Sequence, residues 1–127
     1  MVRQEDRPAK RRAVVILDSR STAHAGTGRV SSLEWCVTMA ASVTAHVVGA
    51  GYAVHLLTAD ARSDTGVRHD DSHEEGLETL ARVTLQSPES LRAVLHAASV
   101  LTSQGGLVVF IGGPIDDVDG RSLAALR

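Results

Sequence analysis

Three short apolar runs divide the chain, and each has the length of a β-strand. They cover residues 13–17 (Ala-Val-Val-Ile-Leu), 52–58 (Tyr-Ala-Val-His-Leu-Leu-Thr) and 107–111 (Leu-Val-Val-Phe-Ile). Because apolar residues in these runs are nearly continuous and do not alternate with polar ones, the runs predict strands that are buried on both faces. Longer amphipathic and polar segments separate them, which is typical of strands connected by helices.

The segment after the first run carries the signals of a helix start. Ser31 and Glu34 have the S-x-x-E spacing of a capping box, in which the hydroxyl and the carboxylate each bind a backbone N–H. This spacing predicts a helix over residues 32–48, which Gly49 and Gly51 end. Its buried stripe is expected at Cys36, Met39, Ala40, Val43 and Val47, with Ala40, Ala41 and Ala45 small enough for close approach to a sheet.

Two more helices are expected before the third run and one after it. Residues 74–85 form the first, and the second begins with Ser87 as N-cap and Pro88 at the first helical position. Asp119 is the expected cap of a last helix that continues to Arg127, whereas residues 59–72, rich in Asp, Arg and Gly, are expected to be a loop. The apolar stripe of the second helix comprises Leu91, Val94, Leu95, Ala98 and Leu101.

Strands separated by helices of these lengths predict parallel pairing, right-handed crossovers and helices on both faces. The expected fold class is therefore α/β, a three-layer sandwich with a mainly parallel central sheet. Residues 1–6 alternate weakly, so an antiparallel edge strand there, with residues 7–10 as the turn, is a further expectation. Because only three core strands are visible and the last helix has no stop signal, we expect a single domain over residues 1–127 that is an incomplete fragment of a larger protein.

Composition narrows the classes of function. The net charge of -2 gives no basic surface for a nucleic acid backbone, and Trp35, Tyr52 and Phe110 are too few aromatic residues to stack single-stranded bases. No apolar run approaches the roughly 18 residues that a membrane span requires. Cys36 is the one cysteine and no leader pattern is present, which favours a reducing, cytoplasmic compartment.

The candidate chemistry lies at one edge of the predicted sheet. In open parallel sheets, the loops that leave the carboxyl ends of the strands converge on one crevice, where ligands bind. Here those loops are residues 18–30, 58–72 and 112–119. Asp18 is the strongest candidate, because a carboxylate at the end of a buried strand needs a metal, a cation or backbone N–H partners to offset its desolvation. A cation site, the capping of loop amides and an ion pair with Arg20 are all open at this point.

Several short motifs support a family resemblance over residues 2–58. They are Val2-Arg3, Glu5-Asp6-Arg7-Pro8, Arg12 with residues 13–18, Glu34-Trp35, Ala40-Ala41-Ser42, and Gly51-Tyr52 with residues 54–57. In these the chain resembles the bacterial proteins called domain of unknown function 58, which are similar to the von Willebrand factor A domain. The resemblance implies an α/β sandwich without established enzymatic activity, often downstream of membrane helices and often associated with MoxR-type AAA+ ATPases.

Von Willebrand A domains typically hold a divalent cation through a D-x-S-x-S motif, a Thr from a second loop and an Asp after a later strand. Residues 18–22 read Asp-Ser-Arg-Ser-Thr, so Arg20 replaces the first hydroxyl, and residues 112–113 are glycines where the later Asp would stand. Asp116 lies too far along the chain for a match, and a guanidinium beside Asp18 repels a cation. The resemblance thus implies a degenerate site without metal or other cofactor, in which Arg20 pairs with Asp18. The implied binding crevice comprises Asp18, Arg20, Thr22, Thr58, Gly112 and Gly113.

Other residues give weaker signals. Residues 69–75 (His-Asp-Asp-Ser-His-Glu-Glu) concentrate metal-ligand types without a recognised spacing, which favours a solvated acidic loop before a helix. Residues 26–28 (Gly-Thr-Gly) are placed like a phosphate loop but lack the third glycine and the P-loop lysine. Cys36, His46 and His55 are expected to be packed or capped rather than catalytic, and Trp35 to anchor the core or the crevice.

The leading hypothesis is a non-enzymatic module that binds a protein partner, an AAA+ ATPase among the candidates, and no nucleic acid. The alternative is a Rossmann-like enzyme that binds a nucleotide or small molecule with Asp18 and the glycines of residues 26–28. A homo-oligomer through an uncovered sheet edge is a third expectation. A parent protein tethered by upstream membrane helices would hold the chain at the cytoplasmic face of the membrane.

Overall fold

A computed structural model of the chain describes residues 11–26, 31–59, 62–65, 76–87, 89–103 and 105–126. The strands are β1 (Arg12–Leu17), β2 (Ala53–Leu57), β3 (Arg62–Thr65) and β4 (Leu107–Ile111). The helices are α1 (Ser32–Gly49), α2 (Ser90–Leu101) and α3 (Asp117–Ala124), with a 3-10 turn at Ser21–Ala23. Residues 76–81 are also helical.

The strands form one sheet in the order β3-β2-β1-β4. β1 pairs in parallel with β2 and with β4, whereas β3 runs antiparallel to β2. β1 lies inside the sheet, and residues 13–17 are almost completely removed from solvent. The predicted α/β class with a mainly parallel sheet is therefore confirmed.

Alternate residues of β1 enter two separate cores, one on each face of the sheet. On the first face, Ala13, Val15 and Leu17 pack with α1 and with Leu80. On the second face, Val14 and Ile16 pack with α2, and Leu123 of α3 adjoins them. Because α1 and α2 lie on opposite faces, the molecule has the three layers that the strand and helix pattern predicts.

The start of α1 follows its predicted capping signal, but its buried stripe differs from the prediction. The Ser31 hydroxyl accepts the N–H of Glu34 at 3.1 Å, which confirms the N-cap. Met39 is 36% exposed, so its predicted place in the stripe is wrong, and Ala45, predicted to allow close approach to the sheet, is exposed instead. The buried residues instead recur at every third or fourth position and form a stripe that is narrower than the predicted one. These buried residues are Cys36, Ala40, Thr44 and Val47.

α2 keeps its predicted apolar stripe but begins later than predicted. Gln86 pairs with Arg20 in an isolated parallel bridge, its N–H and C=O bonding to the Ser19 carbonyl and the Ser21 N–H. The N-cap is Glu89 rather than the predicted Ser87, and α2 starts at Ser90. The expectation that Pro88 is the first helical residue lies outside the described residues.

α3 also starts and ends differently from the prediction. Its N-cap is Asp116, whose carboxylate accepts the N–H of Asp119 at 2.7 Å, so the prediction that Asp119 itself is the cap is wrong. The helix ends at Ala124 rather than continuing to Arg127.

Two strand predictions also need correction. The predicted loop over residues 59–72 contains β3, whose sequence Arg-Ser-Asp-Thr has no apolar alternation that could have signalled a strand. In β4 Leu107 is exposed, the next three residues are half-buried and only Ile111 is buried, because within the described residues this strand borders the sheet and pairs with β1 alone. The expected strand at residues 1–6 and the acidic segment 69–75 lie outside the described ranges.

None of the helices in the described part of the chain combines the length and apolar character that crossing a membrane requires.

Candidate functional site

A cavity of about 620 Å³ opens at the carboxyl ends of β1 and β4. The chain leaves β1 towards α1 on one face of the sheet and leaves β4 towards α3 on the other, so the two loops separate at this point. Such a switch point is where open α/β sheets bind their ligands. The cavity is lined by His24, Ala25, Gly26, Ser31, Ser32, Trp35, Cys36, Gly112 and Gly113.

Asp18 lies at this switch point as the residue that follows β1. Its backbone N–H donates to the carbonyl of Ile111 at 2.9 Å, so the pairing between β1 and β4 extends one residue beyond the strand. This pairing holds the residue inside the fold, where it is 1% exposed. A carboxylate at such a position is stable only when hydrogen bonds and an opposite charge replace its hydration.

Arg20 supplies that charge through a two-pronged ion pair. Its Nε donates to Oδ1 of Asp18 at 2.9 Å, and its Nη2 donates to Oδ2 at 2.7 Å. The backbone N–H of Arg20 also donates to Oδ1 at 3.1 Å, and the N–H of Gly113 donates to Oδ2 at 3.3 Å. Each carboxylate oxygen therefore accepts two hydrogen bonds from the protein, in the planar geometry that suits a guanidinium.

Arg20 also connects the loop after β1 to the loop after β4. Its Nη2 donates to the carbonyl of Pro114 at 2.8 Å, and the residue is 8% exposed. The hydrogen bond to Asp18 raises the pKa of Arg20, although burial acts against this, and the charges of Asp18, Asp119 and Asp116 raise it further. The guanidinium thus stays charged and holds the two loops together.

The pKa of Asp18 is lowered from its ordinary value. Burial by itself would raise it, but the hydrogen bonds from Arg20, the charge of Arg20 and the N–H of Gly113 together outweigh the desolvation. Asp18 is consequently an ionised carboxylate whose charge is balanced within the protein.

Gly112 is required because β4 passes very close to Asp18. A Cβ at this position would lie 2.3 Å from the Cβ of Asp18, 2.8 Å from its Oδ2 and 2.9 Å from the ring of Phe110. Glycine at residue 112 therefore lets the end of β4 close over the ion pair. A side chain there would displace the carboxylate from Arg20.

His24 fastens the loop after β1 to the start of α1. Its Nε2 is bonded to the carbonyl of Asp18, and because a carbonyl only accepts, Nε2 carries a proton. The Nδ1 atom lies 3.0 Å from the hydroxyl of Ser32, which also accepts the N–H of Ala25 at 2.8 Å. These bonds fix one wall of the cavity.

Trp35 and Cys36 lie side by side in the first turns of α1 but differ in exposure. Trp35 is 63% exposed on the cavity wall, so of the two predicted roles it serves the crevice and not the core. Cys36 is buried, as predicted for a packed thiol. Burial raises the pKa of Cys36, and the negative charge of Asp18 raises it further, so the sulfur stays a protonated thiol.

The structure brings together four of the six residues that the resemblance implies. Asp18 and Arg20 form the ion pair, and Gly112 and Gly113 close over it and line the cavity. Thr22 is exposed on the 3-10 turn, and Thr58 is buried at the end of β2. Neither threonine belongs to the cavity wall.

Sequence reasoning missed three residues that shape the site. His24 and Ser32 bond to each other and fix one wall of the cavity. The backbone of Gln86 bonds to Ser19 and Ser21 on either side of Arg20 and so holds that loop. A single His in a polar loop and a single Gln between helices carry no recognised spacing. The Ser at residue 32 beside the capping Ser31 is the one weak signal that a second hydroxyl was available there.

Other candidate ligands are dispersed. Within the described ranges, no group of three or more His, Cys, Asp or Glu side chains is placed to hold a metal ion. His46 is exposed on α1 and His55 is half-buried on β2, and neither lines the cavity. Gly26 lines it with a φ of 84°, whereas residues 27 and 28 of the glycine loop lie outside the described residues.

No family model, curated protein or solved structure matches the chain in the three comparisons. The resemblance to the family of domain of unknown function 58 therefore stays a prediction from the motifs.

Replacing Gly112 by Ala tests the closure over Asp18. We expect Gly112→Ala to lower the free energy of unfolding by about 1–3 kcal/mol, because the added methyl overlaps Asp18. Gly49→Ala is the control, since a Cβ at Gly49 meets nothing within 4 Å. Denaturant unfolding of both variants measures the difference, and equal stability would contradict the steric account.

Neutralising Asp18 tests the ion pair. We expect Asp18→Asn to lower the free energy of unfolding by about 3 kcal/mol at neutral pH, because it leaves the Arg20 charge buried without its partner. Since folding lowers the pKa of Asp18, this stabilisation is complete above the ordinary Asp pKa and is lost as the pH falls through the folded value.

The control for Asp18→Asn is Glu78→Gln, at an exposed carboxylate on the helical residues 76–81. We expect this control to change stability by less than about 0.5 kcal/mol. Denaturant unfolding across the acid range gives both curves. A loss for Asp18→Asn that is no larger than for the control, or that grows as the pH falls, would contradict the ion pair.

Proposed function

We propose that this chain is a non-enzymatic, metal-independent module that binds a protein partner at the cavity between the loops after β1 and β4. The observation that carries the proposal is the ion pair of Asp18 and Arg20. Both carboxylate oxygens already accept two hydrogen bonds from the protein. A cation would have to displace a guanidinium that also donates to the carbonyl of Pro114 and whose charged form the nearby charges of Asp116 and Asp119 favour.

The cavity wall suits an uncharged side chain of a partner. Among the residues that the structure describes, its lining includes no Asp, Glu, Lys or Arg, and Asp18 and Arg20 lie buried beneath it with their charges mutually balanced. Trp35 adds a large, exposed aromatic ring at the wall. Tryptophan is among the residues that contribute most to protein interfaces, because it buries a large area with little loss of conformational entropy.

The lining offers little for catalysis. The pKa of Cys36 is raised, so its thiol is a poor nucleophile, and both ring nitrogens of His24 are engaged by Ser32 and by the backbone of Asp18. The Ser31 hydroxyl is used as the cap of α1. Among the described lining residues, the hydroxyl of Ser32 does lie beside a base, Nδ1 of His24, but the same hydroxyl also accepts the N–H of Ala25 and holds the loop to α1. This structural use of the pair supports a binding role over an enzymatic one.

The family resemblance supplies the first partner to test. Proteins of the family that the motifs resemble are often associated with MoxR-type AAA+ ATPases, so a protein of that class is the partner we propose. A single cysteine among 127 residues supports the cytoplasm as the compartment.

One observation favours a second function, the binding of a nucleotide or small molecule. The cavity lies at the switch point of the parallel strands, beside the N-terminus of α1, and its volume is within the range of roughly 300–1,000 Å³ found for small-molecule sites. The described lining residues include no side-chain cation for a phosphate, which makes this the weaker proposal.

A thermal-shift series separates the two functions. A ligand at about 100 times its dissociation constant adds about 2.7 kcal/mol to stability and raises the melting temperature by more than about 5 °C in a chain of this size. We expect no such rise with magnesium, manganese, ATP, GTP or NAD. A rise with a metal ion alone would overturn the metal-independent site, and a rise with a nucleotide would favour the second function.

Replacing Trp35 tests the protein interface. We expect Trp35→Ala to weaken binding to a purified MoxR-type ATPase by at least about tenfold, because it removes the exposed aromatic surface of the cavity wall. Val100→Ala is the control, because Val100 is similarly exposed, at 65%, but lies near the end of α2, away from the cavity. Interferometry with the immobilised chain gives the affinities. Equal losses for the two variants, or no binding by the unaltered chain, would contradict the proposed partner site.

A further inference from the structure

β4 leaves one row of backbone groups directed away from the sheet. The carbonyl of Ile111 accepts the N–H of Asp18, so Ile111 directs its backbone groups towards β1, as do Val109 and Leu107 by the alternation of the strand. Val108 and Phe110 consequently direct their N–H and C=O groups outward. Within the described residues, β4 has no neighbour on that side.

The two edges of the described sheet differ in chemistry. β3 reads Arg-Ser-Asp-Thr, a short and charged sequence of the kind that keeps an edge from pairing with other chains. β4 reads Leu-Val-Val-Phe-Ile, with no charge and no proline, and most of it is only half-buried. Leu107, at its start, is 40% exposed. The β4 edge therefore lacks the features that prevent strand pairing.

The sequence around β4 is nearly symmetric about its central residue. Residues 105–113 read Gly-Gly-Leu-Val-Val-Phe-Ile-Gly-Gly, with Val109 at the centre. We propose that two copies of this chain pair antiparallel through β4, about a two-fold axis at Val109. Val108 then lies opposite Phe110 of the second copy, and Leu107 lies opposite Ile111 of the second copy.

The outward backbone groups fit this pairing. Val108 and Phe110 each carry one outward N–H and one outward C=O. Antiparallel pairing about Val109 places Val108 of one copy opposite Phe110 of the other, and each of the two residues then donates its N–H to the C=O of the other. The pairing thus uses all of the outward groups of the strand. Glycines lie opposite glycines at both ends, so no side chain blocks the approach there.

The pairing also extends both hydrophobic cores. Val108 and Phe110 adjoin the core of the second face, and Val109 adjoins the core of the first face. Directly opposite residues of an antiparallel pair point to the same side of the sheet, so each core meets its own equivalent in the second copy. The interface is isologous and closes as a dimer, because the same strand serves both partners. It does not depend on what the cavity binds.

Disulfide trapping tests the register. Across the two-fold axis, the Cα atoms of the two Val109 residues would lie about 4.5 Å apart, within the range that a disulfide spans. Two Leu107 residues would be offset by four positions, roughly 13 Å along the strands. We therefore expect Val109→Cys, in a Cys36→Ala background, to form a covalent dimer under mild oxidation, and Leu107→Cys in the same background not to do so. No cross-link at residue 109, or equal cross-linking at both positions, would overturn the proposal.

Solution mass gives an independent test that needs no cross-link. The unaltered chain should be dimeric by light scattering over a concentration series, and Leu107→Lys should raise the dissociation constant by at least about tenfold by placing a charge on the paired edge. Leu85→Lys is the control, since Leu85 is also exposed but belongs to no strand. An unaltered chain that stays monomeric, or equal weakening by both lysines, would contradict the dimer.

Discussion

A carboxylate at the end of a buried strand loses its hydration, and hydrogen bonds and an opposite charge within the fold have to replace the lost stabilisation. In this chain the compensation comes from two residues further along, where Arg20 turns back and binds both oxygens of Asp18. Breaking such a pair by removing one partner costs far more than a surface ion pair contributes, because the remaining charge stays buried. The positions of the loops after β1 and β4 depend on this pair, since Arg20 also holds Pro114.

The ion pair changes which groups at the switch point can contact a ligand. Elsewhere, an acidic residue at the end of a parallel strand is free to hold a cation, because its neighbours are hydroxyls and water. Here the guanidinium of Arg20 takes the place of the cation beside Asp18. Gly112 lets β4 approach so closely that the carboxylate is enclosed. The side chains that a ligand can contact are those of the cavity wall above the ion pair, which Trp35 and neutral small residues line.

The sequence predicted those parts of the fold that depend on a single physical rule. Continuous apolar runs identified β1, β2 and β4, and the Ser31 cap located α1. The pairing of Asp18 with Arg20 was also predictable, because a buried charge needs a partner and Arg20 was near in sequence. Parts that depend on long-range contacts were not. β3 has no apolar pattern of its own, the bridge between Gln86 and Arg20 joins residues far apart in sequence, and the bonds of His24 to Asp18 and Ser32 require the folded loop.

The internal ion pair can be observed directly by NMR through the Asp18 carboxyl carbon and the Arg20 Nε–H. We expect the Asp18 carboxyl to titrate below the ordinary Asp pKa, and the Arg20 Nε–H to exchange slowly with solvent. Excess magnesium should shift neither signal. An Asp18 that titrates at its ordinary value, or a magnesium-dependent shift of both signals, would contradict an acid that is neutralised within the fold.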